Sequence, residues 1–312
     1  MIDQNSKIYI AGHKGMVGSA CLRLFKLRGY KNLIYKSSNE LDLRNQIEVN
    51  LFFEEHKPDV VIIAAAKVGG IHANDIYGYD FLMNNLQIQN NLINASEKNN
   101  VDKVVFLGSS CIYPKMAPQP LKEEYLLTGS LEETNQWYAI AKIAGVKSIE
   151  ALNKYKNKNY VSLMPTNLYG PNDNFDPMTS HVLPGMIAKF HRAKVDNKES
   201  VVLWGDGSPL REFLHVDDLA NAVFFSLQHQ LENHSYNVGS NDEISISDLA
   251  DRIKNIVGYK GKIKWNKSYP NGTLRKKLDS SKLIKLGWEP KIIFQEGIID
   301  TYNSFKSQNI EY

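Results

Sequence analysis

A glycine pattern, G-x-x-G-x-x-G at Gly12–Gly18, constrains the fold of this chain more than any other feature of the sequence. It follows the apolar run Ile8–Ala11 and opens an amphipathic stretch that starts at Met16. Glycine is needed where a strand turns sharply into a helix, where backbone approaches a pyrophosphate, and where helix and strand pack closely. The free N–H groups of the helix N-terminus suit phosphate oxygens. The pattern therefore predicts a dinucleotide site.

Short apolar runs and amphipathic stretches alternate after this motif. Unbroken apolar runs are typical of strands buried on both faces, and strands that alternate with helices form parallel sheets. We predict an α/β fold with a doubly wound, Rossmann-like parallel sheet and a smaller C-terminal substrate-binding region. The predicted strands are 8–11, 33–35, 60–64, 104–107 and 161–164, and the predicted helices are 16–28, 46–55, 80–99, 138–155 and 242–257.

The same pattern predicts the division of the chain. Residues 1–166, with about 213–240, are expected to form the dinucleotide-binding domain, and 167–212 with 241–312 the substrate region. Gly, Pro and Asn punctuate 165–184, which predicts a loop. Ser245 or Ser247 is the expected cap of the helix that ends at Val257, and Asp217 and Asp218 are expected to serve a helix start.

Composition excludes several classes of function. Among 312 residues the formal net charge is +3, with basic and acidic residues mixed, so we expect no nucleic-acid partner. The two cysteines, Cys21 and Cys111, favour a reducing compartment. The N-terminus has no apolar signal region, and no apolar run approaches the roughly 18 residues of a membrane span. We expect a cytoplasmic protein with no membrane partner and no metal.

The residues after the second strand indicate which dinucleotide binds. An NAD site usually has a carboxylate there, about 20 residues after the glycines. This chain has Lys36, Ser37 and Ser38 instead, and Lys14 adds a second cation from the glycine loop. Such residues suit a 2′-phosphate and predict NADPH as the cofactor, although Lys36 is also readable as an ordinary surface lysine. Asp42 is a candidate for contact with the adenine.

Tyr138 and Lys142 lie four residues apart on a predicted helix and so share one face. An ammonium close to a phenol favours the phenolate, so we expect a lowered pKa for Tyr138 and proton transfer to a carbonyl. Lys142 is also expected to hold the nicotinamide ribose. Ser109 follows the strand 104–107, at the edge where parallel sheets bind ligands, and is expected to share the substrate oxygen with Tyr138.

These motifs, in this order, resemble the extended short-chain dehydrogenase/reductase family and, more narrowly, the GDP-L-fucose synthase family. The resemblance extends over most of the chain. It is carried by the segments Ala11–Ser19, Ala64–Gly70, Gly108–Lys115, Tyr138–Gly145, Met164–Pro171 and Arg211–Asp218.

The resemblance implies an enzyme that epimerises C3 and C5 of GDP-4-keto-6-deoxy-mannose and then reduces C4 with NADPH. Ser109, Tyr138 and Lys142 match the reductive triad. Cys111 matches the base that removes the protons beside the ketone, and His181 matches the acid on the opposite face. By themselves these two residues favour a small buried apolar cysteine and a capping or loop histidine; the resemblance reverses that preference.

The resemblance also implies the remaining contacts. The implied substrate-binding residues are Asn167, Lys189, Trp204 and Arg211, of which Arg211 best suits phosphate oxygens. The full set predicted to bind the cofactor is Gly12, Lys14, Gly15, Met16, Val17, Gly18, Lys36, Ser38, Asp42, Leu43, Ala64, Ala65, Ala66, Tyr138 and Lys142. Small residues on the Tyr138 helix (Ala139, Ala141, Ala144 and Gly145) predict close helix packing and, with the family habit, a homodimer.

The chain departs from the family pattern at three positions. Lys14, Ser38 and Lys189 stand where arginines are common, and lysine lacks the bidentate fork. We therefore expect a weaker preference for NADPH, or partial tolerance of NADH. Two alternatives stay open: a C4 reductase of a GDP-4-keto-6-deoxy-heptose in capsule biosynthesis without net epimerisation, and a cofactor-binding protein without catalysis.

Overall fold

Six parallel strands form the central sheet of the protein, in a computed structural model that describes residues 2–70, 74, 76–177, 179–232, 234–269 and 271–308. Their order is β2–β1–β3–β4–β5–β9, so the direction of winding reverses between β1 and β3. The carboxyl ends of the strands at such a reversal form a crevice that binds ligands. The strands are Ile8–Ala11 (β1), Leu33–Ile34 (β2), Val60–Ile63 (β3), Lys103–Leu107 (β4), Val161–Pro165 (β5) and Ser235–Val238 (β9).

Helices cover both faces of this sheet because its strands are apolar on both sides. Every residue of β1 and of β3 is buried. The predicted doubly wound α/β sheet is confirmed. Around it lie the helices Met16–Leu27 (α1), Gln46–His56 (α2), Gly78–Lys98 (α3), Gln136–Lys156 (α4) and Val216–Gln228 (α6). One apolar cluster packs α1 and α6 on one face, and another packs α2, α3 and α4 on the opposite face.

The rest of the chain builds a smaller mixed unit with its own apolar cluster. Within it, β8 pairs with β6, β10 and β12, and β7 pairs with β11. Its strands are Asn167–Tyr169 (β6), Ser200–Trp204 (β7), Leu210–His215 (β8), Glu243–Ser245 (β10), Lys262–Asn266 (β11) and Arg275–Lys276 (β12). Its helices are Val182–Val195 (α5), Ile246–Val257 (α7) and Phe294–Ser307 (α9), whereas the short helix Ser281–Lys285 (α8) packs on the central sheet through Leu283.

Two sequence expectations in this unit need correction. The predicted loop 165–184 contains β6, because its backbone pairs with β8 over Phe213–His215, and it ends where α5 begins at Val182. The helix expected from Asp242 begins at Ile246, since 243–245 pair with β8. Ser245 accepts a hydrogen bond from Asp248 N, which confirms it as the cap.

Buried carboxylates join separate segments of the chain. Glu212 on β8 is fully buried and accepts hydrogen bonds from Asn241 N and Leu278 N. Asp218, in the first turn of α6, accepts hydrogen bonds from Lys291 N and Ile292 N. Asp218 is therefore structural, as predicted. No helix among the described residues has the length and apolar character to cross a membrane.

Candidate active site

The turn between β1 and α1 uses its three glycines for different reasons. Gly12 has φ +86°, and a Cβ on it would lie 2.7 Å from Ala65 Cα, at the end of β3. A Cβ on Gly18 would overlap the Gly12 carbonyl. A Cβ on Gly15 would meet no protein atom closer than Gly12 O at 3.4 Å, an ordinary contact. Internal packing therefore fixes glycine at 12 and 18, whereas the space at Gly15, before the α1 N-terminus, fits a pyrophosphate.

The predicted 2′-phosphate residues lie beside this turn. Lys14 and Ser38 are exposed and Lys36 is half-buried. Among the described residues, no carboxylate lies within 4.0 Å of either lysine. The Glu40 carboxylate stays close by, because it accepts hydrogen bonds from Ser37 N at 2.8 Å and from Ser37 Oγ. The two cations fit a 2′-phosphate, and Glu40 offsets part of their charge.

The remaining predicted cofactor residues lie along the same edge of the sheet. Met16 and Val17 form the first turn of α1, and Ala64, Ala65 and Ala66 follow β3 directly. The Asp42 carboxylate is held by Arg44, with Nε–Oδ1 at 2.9 Å and Nη2–Oδ2 at 2.8 Å, which lowers the Asp42 pKa to about 2. Asp42 is therefore already paired, and its contact with adenine stays a prediction, as does the binding of the cofactor by Leu43.

Ser109 and Tyr138 meet at the carboxyl end of β4. Ser109 caps a single 3-10 turn, Ser110–Ile112, and its Oγ accepts a hydrogen bond from Cys111 N at 3.2 Å. Tyr138 lies in the first turn of α4, and its phenol is close enough to the Ser109 hydroxyl for the two groups to interact. Two hydroxyl groups therefore face one point, where both can contact a substrate oxygen.

Lys142 lies on the same face of α4 as Tyr138, as the four-residue spacing predicts. Its Nζ donates a hydrogen bond to Leu107 O at 2.8 Å and lies 5.8 Å from the centre of the Tyr138 ring. Burial lowers the Lys142 pKa to about 7. Burial also raises the Tyr138 pKa, and the neighbouring Cys111 raises it further. The expected lowering of the Tyr138 pKa is therefore wrong, because desolvation is the largest influence on this phenol.

Cys111 lies next to Ser109 and contacts two polar groups from elsewhere in the chain. Its Sγ is 3.5 Å from Asn135 Nδ2 and 3.4 Å from Lys276 Nζ. Cys111 is half-buried and free, so it is not a purely apolar core cysteine. Amide and ammonium donors around a sulfur stabilise a thiolate.

His181 is the residue before α5 and is exposed to solvent. It occupies the N-cap position, but its side chain makes no capping hydrogen bond. Desolvation by the surrounding protein and then the charge of Lys276 lower the His181 pKa. Lys276 therefore lies beside Cys111 and interacts through its charge with His181, the two residues to which the resemblance assigns epimerisation.

The predicted substrate residues lie in the C-terminal unit, and three of them offer cations or an aromatic face. Lys189 Nζ is 5.4 Å from the Trp204 ring, and Trp204 stacks on Tyr269 with centroids 4.5 Å apart. Arg211 is half-buried beside Gly272, and burial lowers its pKa. No carboxylate of the described residues pairs with Lys189 or Arg211. Both cations are thus free for a diphosphate.

Asn167 Nδ2 donates a hydrogen bond to Glu212 O at 2.8 Å, and the contact of Asn167 with the substrate stays a prediction. Three neighbours of the site were missed from the sequence: Asn135, Tyr269 and Lys276. No local pattern identifies them, since a lone amide, a loop tyrosine and one lysine among 37 basic residues are all common.

Comparisons with known proteins agree with this site. The sequence profile of the NAD dependent epimerase/dehydratase family matches residues 8–239. GDP-L-fucose synthase 1 of Arabidopsis thaliana is 54% identical over 303 residues, which cover 97% of this chain and 94% of the plant protein. GDP-L-fucose synthase of Escherichia coli K12 is 48% identical over 308 residues, 96% of each chain.

Among solved structures, the chain is also similar to a protein that is described as acting on a heptose. MlghC, described as a GDP-mannoheptose C4 reductase from Campylobacter jejuni with NADP bound, matches with a TM-score of 0.91. It is 40% identical, and the match covers 98% of this chain and 100% of MlghC. The identity to the two synthases is higher than the identity to this reductase.

Proposed function

The chain belongs to the NAD dependent epimerase/dehydratase family and, within it, to the GDP-L-fucose synthases, and from this premise we propose how it works. It is an NADPH-dependent oxidoreductase that reduces the C4 ketone of a GDP-4-keto-6-deoxy-hexose after epimerising C3 and C5. The observation that carries this proposal is the cluster at the end of β4, where Ser109, Cys111 and Tyr138 lie together.

Epimerisation uses the acidity of protons beside a ketone. The Cys111 thiolate removes the proton from C3 or C5, and the electrons of that C–H bond pass to O4 as an enolate. The hydroxyl groups of Ser109 and Tyr138 donate hydrogen bonds to O4 and stabilise this charge. Protonated His181 then delivers a proton to the opposite face of the same carbon. Both residues regain their starting states by proton exchange with water.

Reduction uses the same two hydroxyl groups. NADPH, when bound, supplies the hydride for C4. Tyr138 gives its phenolic proton to O4, and Ser109 keeps O4 in place. Because the Lys142 pKa is about 7, this side chain can release a proton to the phenolate near neutral pH. A tyrosine with a raised pKa is fully protonated beforehand, which suits a proton donor.

The two phosphate-bearing ligands have separate cations. We propose that Lys14, Lys36 and Ser38 hold the 2′-phosphate of NADPH, and that Gly15 receives its pyrophosphate. Lys189 and Arg211 then hold the diphosphate of GDP, with Trp204 beside them. The division follows the sequence boundaries: residues 1–166 with 213–240 bind the cofactor, and 167–212 with 241–312 bind the GDP-sugar.

A homodimer through α3 and α4 is also proposed. The small residues Ala141 and Gly145 do not support it, because both are buried within the protomer, and a Cβ on Gly145 would overlap the Phe106 ring. Support comes instead from exposed apolar side chains on these helices, Tyr79 (75% exposed) and Ile140 (40% exposed). Two free cysteines support a cytoplasmic location.

The second candidate function is C4 reduction of a GDP-4-keto-6-deoxy-heptose, for capsule biosynthesis. The similarity to MlghC favours it, as does Lys189 in place of an arginine. The two functions share the reductive residues and differ in the sugar and in whether Cys111 and His181 act.

One experiment separates these functions. The protein is incubated in D₂O with NADPH and either GDP-4-keto-6-deoxy-mannose or the corresponding heptose, and cofactor oxidation and deuterium at C3 and C5 are measured. We expect oxidation with deuterium at both carbons of the hexose. Oxidation without deuterium would indicate a C4 reductase alone. No oxidation with the hexose, but turnover of the heptose, would establish the second function; no turnover of either would contradict both.

A further inference from the structure

Three consecutive basic residues on β12 and just after it point in two directions. Arg275 pairs with Glu243 at 2.6 Å, and Lys277 lies 3.8 Å from the same carboxylate. Lys276 stands between them, and side chains alternate along a strand, so it faces the opposite side. There its Nζ lies 3.4 Å from Cys111 Sγ. Within the described ranges, no carboxylate lies within 4.0 Å of Lys276.

The position of Lys276 is fixed by backbone pairing. Lys276 is in register with Arg211 on β8, in a parallel pair. The next residues are also held, because Lys277 N donates to Gln119 and Leu278 N donates to the buried Glu212. The ammonium is half-buried, so water screens its charge only in part. A lysine that has no acidic partner and is held against a sulfur is placed to act on that sulfur.

A cation at this distance favours the charged form of a thiol. The other groups that face Cys111 do less. Asn135 is neutral, and Tyr138 keeps its proton because burial raises its pKa. Lys115 and Glu132, which carry opposite charges, line the small cavity of about 50 Å³ beside Cys111 and Lys276. His181 interacts with Lys276 through charge.

We propose that Lys276 is a positioning residue that holds Cys111 as the thiolate base. This inference rests on the proposed epimerisation and adds one consequence. Removal of the C3 or C5 proton depends on a residue that β12 supplies from the C-terminal unit, whereas proton transfer to O4 does not. Lys276 gives no proton to the sugar and takes none from it.

The first test measures the thiol directly, without substrate. The rate of alkylation of Cys111 by iodoacetamide is measured from pH 5 to 10 in the wild-type protein and in Lys276→Met, Lys276→Arg and Lys277→Met. Cys21 is fully buried, and a Cys111→Ser protein provides the background. Lys277→Met is the matched control, because it removes the same charge from the opposite side of the same segment.

We expect the half-maximal pH of alkylation to rise by about one unit or more in Lys276→Met. Lys276→Arg should restore most of the wild-type profile, and Lys277→Met should match it. An unchanged profile in Lys276→Met would overturn the proposal, even if the variant has lost activity. Thermal unfolding of each variant shows whether it is folded.

The second test separates the two stages of the reaction. In D₂O, Lys276→Met should lose deuterium exchange at C3 and C5 by roughly 10²-fold. Single-turnover reduction of NADP+ by GDP-L-fucose, which needs only C4 chemistry, should stay within about threefold of the wild type. Equal losses in both assays would indicate a general role in holding substrate and would contradict the inference. If the wild type has no activity toward GDP-sugars, the proposed function fails, while the alkylation profile still tests the contact between Lys276 and Cys111.

Discussion

The reductive residues and the epimerising residues of this site are neighbours, but the chain assembles them differently. Ser109 lies at the end of β4, and Tyr138 lies in the first turn of α4, a helix that packs on the same sheet. Cys111 is also near the end of β4, but it contacts Lys276 across a separation of 165 residues. His181 lies at the start of α5, in the C-terminal unit.

This difference has a consequence for function. The first group depends on a hydrogen-bonded parallel sheet with buried strands, which holds its geometry rigidly. The second depends on how β12 and α5 of the smaller unit sit against the sheet. We therefore expect reduction to survive changes that stop epimerisation.

Removing the proton donor should have the largest effect. In Tyr138→Phe, C4 reduction should fall by roughly 10³-fold, since a positioned general acid contributes about 10²–10⁴-fold. Deuterium exchange at C3 and C5 should fall much less, because Ser109 still stabilises the enolate. NADPH oxidation and NMR of the sugar measure the two stages. If exchange disappears together with reduction, the two groups are not separable.

Removing the base should have the reverse effect. In Cys111→Ser, exchange at C3 and C5 should fall by about 10²-fold, because an alcohol at neutral pH is a much weaker base than a thiolate. Single-turnover oxidation of GDP-L-fucose by NADP+ should change little. Cys21→Ser is the control for loss of a thiol away from the site. Undiminished exchange would show that another residue is the base.

A change in the proposed 2′-phosphate site should affect the reduction step and not epimerisation. The expected factor is smaller than in the two variants above. Ser38→Arg adds a bidentate donor beside Lys36 and should raise the ratio of kcat/KM for NADPH over NADH by about tenfold. Asn39→Arg adds the same charge one residue away and should have a weaker effect. Dissociation constants for both cofactors, from tryptophan fluorescence, provide a second measurement. Equal gains for both variants would show that net charge alone matters.

The smallest expected effect comes from Asp173, in the loop that leads to His181, and it concerns the stability of the protein. Asp173 is buried with one carboxyl oxygen unpaired among the described residues, and desolvation raises its pKa to about 7. Because the folded pKa is higher than the ordinary value of 3.8, the stabilising contribution is complete below about pH 4, decreases as the pH rises, and is lost above about pH 7.

Asn cannot ionise, so Asp173→Asn should raise Tm by about 3 °C at pH 8 and change it little at pH 4. Thermal unfolding followed by circular dichroism at both pH values measures this. The same shift at both pH values would mean that ionisation of Asp173 is not the cause. If Asp173→Asn also changes the rate of epimerisation but not the rate of reduction, the epimerising residues depend on this loop and the reductive residues do not.

Much of the reductive half could be predicted from the sequence alone. The unbroken apolar runs of β1 and β3 specify a sheet buried on both faces, and Gly12 and Gly18 are required by contacts within one β-α turn. The four-residue spacing of Tyr138 and Lys142 specifies a shared helix face. In each case the residues that interact are close in sequence, or each strand carries the pattern by itself.

Tertiary structure decided the rest, because the groups involved are distant in sequence. Only packing shows that Lys142 donates to Leu107 O, that Gly145 packs on Phe106 within the protomer, and that burial raises the Tyr138 pKa. In the sequence, nothing distinguishes Lys276 from the other lysines. Its contact with Cys111 follows from the pairing of β12 with β8. Charge and desolvation act through space, so the sequence determined which residues are present, and the fold decided which of them interact.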